Sequence, residues 1–135
     1  MDAETVSKHF AQYAEIYLKS RPNFTGHMGF DNKGNRLWFM AAREPGEVII
    51  TVIVVEEKLR NHGITTRLLK SFIDNPDVTR VIICGVGSSS MEAALRKNYH
   101  AYPFVCHGGD FIWQREGKYC QCHQFDKEGK MLTSP

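Results

Sequence analysis

A single mixed α/β domain follows from three features of the chain. Two β-branched runs, "VIITVIVV" from Val48 and "VTRVIICGV" from Val78, are bracketed by turn residues and have the length and β-branched content of strands buried on both faces. Between them, Ile64, Leu68, Leu69 and Phe72 share one helical face, so the second run follows the first through a helix, as a parallel pair requires. The length of 135 residues suits one core, and 42% hydrophobic with 24% charged residues is an ordinary globular balance.

Taken in order, Val6, Phe10, Tyr13, Ala14, Tyr17 and Leu18 recur at three- and four-residue steps and predict an opening amphipathic helix over Ala3–Leu18. "HMGF" and "RLWFMAA" flank "DNKGN", whose residues tolerate positive φ, and predict an antiparallel hairpin. "REPGE" turns the chain into the first buried strand, and "DNPD" ends the helix that follows it. After the second buried strand, "GSSS" offers hydroxyl caps for a short helix in "MEAALRKNY". Two further strands are expected in "PFVCH" and "DFIWQRE", and "FDKEGKMLTSP" reads as a polar, loosely held tail.

The formal charge of +2 contains no lysine or arginine block, which argues against a nucleic-acid partner held by bulk phosphate neutralisation. The longest apolar run is too short to cross a bilayer, "MDAETVSKHF" has no secretion pattern, and a cytoplasmic location with no membrane partner is expected. Four cysteines then read as thiols. Cys106, His107, Cys120, Cys122 and His123 carry zinc-type donors, but Cys-x-Cys spacing lacks the chelate reach of common zinc hairpins, so no metal is assigned.

The informative stretch is "VVEEKLRNHGITTRLLKSF", in which a charged bend joins a buried strand to a helix. Such a bend lies at the carboxyl end of a central strand, where open α/β sheets bind ligands, and it feeds a helix whose first N–H groups lack intrahelical acceptors. Gly63 permits close approach of the backbone, and Arg60 and Lys58 add charge, while Glu56 and Glu57 oppose it. From the residues alone, plain turn chemistry and a phosphate cradle both fit.

"Arg60-Asn61-His62-Gly63-Ile64-Thr65" resembles motif A of the GNAT superfamily of N-acetyltransferases, whose pattern is Gln/Arg-x-x-Gly-x-Gly/Ala, and the element order from Ala3 to Gln114 is similar to that family's. Thr65 stands where the family prefers glycine or alanine. The resemblance implies one GNAT-like domain over 1–135, with a core over about 3–116 and a tail over about 124–135, built as a sheet of about six to seven strands with three to four helices. It implies acetyl-CoA as co-substrate, with the pantetheine arm along Ile53, Val54 and Val55 and the diphosphate on Arg60, Asn61, His62, Gly63, Ile64, Thr65 and Thr66. The acceptor would be a primary amine of a small molecule or a protein, and a homodimer is left open.

Family members often use a tyrosine as the acid for the leaving thiolate. Tyr99 is the first choice here and Tyr102 the second, although the asparagine and Gly-Phe pair that mark the family's register are missing. Packing within its helix is the alternative role for Tyr99. Glu47, at the start of the first buried strand, is the candidate base or else a turn residue, and His100 is a second candidate. A catalytically inactive module of the same fold, binding a partner protein through Trp38 and Trp113, is the competing expectation.

Overall fold

The computed structural model describes residues 2–20, 25–84, 102–103, 111–115, 124–125 and 131–133. The fold is α/β. A mixed sheet runs in the order β1-β2-β3-β4-β6-β5. Its strands are β1 (His27–Asn32), β2 (Asn35–Met40), β3 (Glu47–Val54), β4 (Arg80–Ile83), β6 (Phe111–Gln114) and a two-residue edge, β5 (Tyr102–Pro103). Two α-helices lie among the described residues, α1 (Ala3–Ser20) and α2 (Ile64–Ile73). The helix expected over "MEAALRKNY" lies outside them.

Both helices lie on one face of the sheet. In α1 the buried residues Val6, Phe10, Ala14 and Tyr17 follow the predicted stripe, and the Asp2 carboxylate accepts the Thr5 N–H at 2.8 Å as a cap. In α2 the buried set is Ile64, Leu68, Leu69 and Phe72, the four residues that predicted the helix. These stripes meet Leu37 and Phe39 of β2, Val48 and Ile50 of β3, Val81 and Ile83 of β4 and Phe111 of β6. On the opposite face Ile49, Ile82 and Ile112 are buried together, with Met40 and Cys84 against them.

The hairpin forms as predicted. Lys33 (φ 50°) and Gly34 (φ 88°) are both left-handed, the conformation a two-residue turn between twisted strands needs, and β1 pairs antiparallel with β2 throughout. β3 and β4 are parallel, with α2 between them in sequence. Arg115, just after β6, ties the crossover down, its guanidinium donating to the carbonyls of Ile73, Asn75 and Val78 at 2.8–3.1 Å. A cation there complements the C-terminal end of α2.

Within the segment expected to be a polar tail, β7 (Gln124–Phe125) and β8 (Met131–Thr133) pair antiparallel with Phe125 opposite Met131.

Candidate functional site

β3 divides at its midpoint. Glu47 to Ile50 pair with β4 on one side, a ladder that Cys84 N–H closes onto Ile50 O at 2.9 Å. β2 pairs with Ile49–Val54 on the other side, with a register shift between Trp38 and Phe39 that leaves Thr51 as an extra residue, its hydroxyl donating to Trp38 O at 3.3 Å. Such a bulge bends a strand and inverts its side-chain alternation. Val48 and Ile50 face the helices before it, and Ile53 and Val55 after it. Among the described residues nothing pairs with Thr51–Val54 on the side away from β2, so about 13 Å of strand edge leads from the bulge toward the bend. Of the three residues expected along a pantetheine arm, Ile53 and Val55 are half-buried toward the helices, and Val54 is 37% exposed on the other face.

The bend is built by its own side chains. After β3, a single 3-10 turn (Glu57–Leu59) forms because Leu59 is buried in the helix-side core. Its start is pinned by Asn35, fully buried at the head of β2, whose Oδ1 accepts the Glu56 N–H at 2.8 Å. The chain then reverses through two left-handed residues, Asn61 (φ 67°) and Gly63 (φ 76°). A Cβ on Gly63 would meet nothing nearer than the Arg67 guanidinium at 3.9 Å, so it is the dihedral rather than space that requires glycine.

In this bend the carbonyl oxygens are engaged. Arg60 Nε donates to Val55 O at 3.0 Å, and His62 Nδ1 to Leu59 O and Arg60 O, each at 3.0 Å. Carbonyls only accept, so Nδ1 carries the hydrogen. Arg67 Nη2 donates to His62 O at 2.6 Å and Arg67 Nε to Gly63 O at 3.2 Å. The main-chain N–H groups of Asn61, His62, Gly63, Ile64 and Thr65 meet no acceptor among the described residues. Occupied carbonyls beside unengaged N–H groups, at the start of a ten-residue helix, make the bend electropositive. Neither Arg60 nor Arg67 forms an ion pair among the described residues, whereas Arg36, Arg43 and Arg80 each do. Lys58 is paired with Glu56 at 3.4 Å.

Arg67 was not singled out in the sequence. The signal was present, since a residue four positions beyond the helix-capping glycine sits one turn above it. Arg60 was, but its Nε faces the backbone of Val55, leaving only its terminal nitrogens for a ligand. Thr66 follows on the first turn of α2.

Glu47 is not brought to this bend. It lies seven residues from Val54 along β3, about 23 Å away, and is fully buried. Its carboxylate accepts from Arg43 N–H (3.0 Å), Arg43 Nε (3.1 Å), Arg43 Nη2 (3.0 Å) and Arg80 Nη2 (2.6 Å), and Arg80 also pairs with Glu44. Burial is the largest single influence and pushes its pKa up. The hydrogen bonds from Arg43 and the charges of Arg43 and Arg80 together outweigh it and hold the group below the ordinary glutamate value. A carboxylate so held joins the start of β3 to the start of β4.

Tyr99 and His100 lie outside the described residues, as do Cys106, His107, Cys120, Cys122 and His123. Tyr102 opens β5. The tryptophans are not open anchors. Trp38 is half-buried with its Nε1 donating to Asp31 at 2.8 Å, and Trp113 packs against the helix-side core with the Arg115 guanidinium 5.0 Å above its ring. Cys84 is half-buried rather than buried. Among the described residues no group of histidines, cysteines or carboxylates can hold a metal, and no helix is long and apolar enough to cross a membrane.

Fold and site together define an α/β domain with an electropositive strand-to-helix bend beside a strand edge that is unpaired among the described residues. No family model, curated protein or solved structure matches the chain.

Proposed function

We propose that the chain is a GNAT-like N-acetyltransferase that transfers the acetyl group of acetyl-CoA to a primary amine. The observation that carries this reading is the continuity of two surfaces. Among the described residues the edge of Thr51–Val54 has no strand partner away from β2 and can pair with an extended amide-bearing chain, and it runs directly into a bend whose N–H groups, unengaged by those residues, can meet a diphosphate. Pantetheine diphosphate has those two parts in that order.

The bulge supports the reading further, because it falls where the pairing of β3 with β4 ends, and a bulge bends the strand that carries it. The neutral amine attacks the thioester carbonyl held at that point and gives up a proton to water as the C–N bond forms, the tetrahedral intermediate collapses with cleavage of the C–S bond, and the leaving thiolate takes a proton from the acid. Tyr99 is the acid in this scheme, on the resemblance. Glu47 is a positioning residue for β3 and β4 rather than the base in this scheme, since a buried carboxylate held by Arg43 and Arg80 is poorly placed to take a proton from the amine.

Calorimetric titration with acetyl-CoA, desulfo-CoA and ATP tests the proposal. Both CoA compounds should bind better than ATP, and Gly63→Glu should abolish binding by setting a carboxylate against the phosphates. Absence of heat and of thermal stabilisation by either CoA compound would refute the assignment. Tyr99→Phe should lower turnover while leaving acetyl-CoA affinity unchanged, and a parallel loss of both would remove Tyr99 from the chemistry.

A further inference from the structure

β1 is an end strand of the sheet, and its outer side is unpaired among the described residues. The bond from Ala41 N–H to Gly26 O at 2.9 Å continues the β1–β2 ladder and shows that the Gly26 carbonyl faces β2. Main-chain groups alternate sides along a strand, so those of Met28, Phe30 and Asn32 also face β2, and those of His27, Gly29 and Asp31 face outward. Proline, lysine and bulges commonly shield such an edge, and β1 has none of them.

We propose that β1 pairs antiparallel with β1 of a second copy of this chain, about a two-fold axis through Gly29. In that register His27 stands opposite Asp31 of the other copy, Gly29 opposite Gly29, and Asp31 opposite His27. All three are pairs of outward-facing residues, and each exchanges two N–H···O bonds. A slip of two residues either way loses a pair and sets His27 or Asp31 against glycine.

The side chains agree with the ladder. His27 and Asp31 lie on the face away from the helices, so each end of the interface places an imidazole beside a carboxylate. Oδ1 of Asp31 accepts from Arg36 Nε and Trp38 Nε1, both at 2.8 Å, while Oδ2 has no partner among the described residues. On the helix face Met28 meets Phe30, and both are only half-buried in one copy. At the axis Gly29 is needed within its own chain, because any Cβ there would collide with Leu37 O and the Trp38 ring. Its bareness also lets the two strands meet without a clash.

Sedimentation velocity of the full chain over a wide concentration range tests the proposal, and the expected species is a dimer. His27→Pro removes an outward N–H and no β1–β2 bond, so it should give a monomer with an unchanged melting temperature. His27→Asp sets carboxylates together at both ends and should weaken the dimer about tenfold, whereas His27→Arg should hold it. Should His27→Pro disturb the fold, this second pair of variants decides alone, since it leaves the backbone untouched. A chain that stays monomeric throughout overturns the proposal. So does a dimer indifferent to His27→Pro in a folded variant, or one that responds equally to Asp and Arg.

Discussion

From Glu47 to Ile50, β3 is paired with β4 and buried throughout, and Ile49 and Ile50 pair with β2 as well. From Thr51 to Val54 it keeps β2 on one side, has no strand on the other among the described residues, and rises gradually into solvent. Composition does not separate the halves, because "VII" and "VIV" are interchangeable as strand formers. The difference comes from their neighbours. The first half is anchored by the Glu47 ion pairs and by the Tyr17 hydroxyl, which donates to Met40 O at 2.8 Å and accepts Ile49 N–H at 3.3 Å. The second half begins at a bulge and ends at a bend held by side chains. The unpaired edge of the second half is thus carried by a first half that is locked, with its Glu47 anchor at the far end from the bend.

The largest expected effect is on the locked half. Glu47→Gln leaves two arginines facing a neutral amide and should cost about 3 kcal/mol by urea denaturation, at the low end for a buried pair because the Arg43 side chain is 64% exposed. The folded-state pKa of Glu47 lies below its ordinary value. Its contribution is therefore present above the unfolded-state pKa and lost as pH falls through the folded one. The wild type should lose this stability under acid conditions and Glu47→Gln should not, and identical acid limbs would mean the pair does not anchor β3.

Deleting Thr51 sharpens the comparison. Removing the extra residue places Ile53 two positions after Ile50, so the helix-facing pattern survives while the bulge is lost. The chain should stay folded, and affinity for acetyl-CoA should fall at least about tenfold, or about 1.4 kcal/mol. Hydrogen exchange of Val52, Ile53 and Val54 amides should slow as the two halves become alike. Undiminished binding would show that the bulge does not make the slot.

The smallest effect falls on the bend. Gly63→Ala keeps the charge pattern but forces alanine to φ near 76°, and should cost about 1 kcal/mol in stability. A larger loss in thermal denaturation would mean that the space above Gly63 matters as well as its dihedral.

Much of this was legible in the chain. The stripe of α1, the four core residues of α2, the Lys33–Gly34 turn and the parallel order of the two buried strands all follow from local spacing and turn chemistry, which act over a few residues. The location of the bend was legible for the same reason. What misled was reading "VIITVIVV" as one uniformly buried strand, and what local reading could not show was that Glu47 is held by Arg43 and Arg80. Burial of Val48 and exposure of Val54 depend on which strands lie alongside, and nothing in the run marks where β4 stops.

The sequence by itself determined the elements of the described core, their order and the position of the charged bend, because periodicity, glycine and charge are properties of neighbouring residues. Only the tertiary structure decided that Thr51 is a bulge, that Glu47 is held by arginines at the wrong end of its strand, and that Arg67 covers the carbonyls of the bend. Each depends on a pairing register or a side-chain direction, which arises when separate segments meet and is written in no single stretch of the chain.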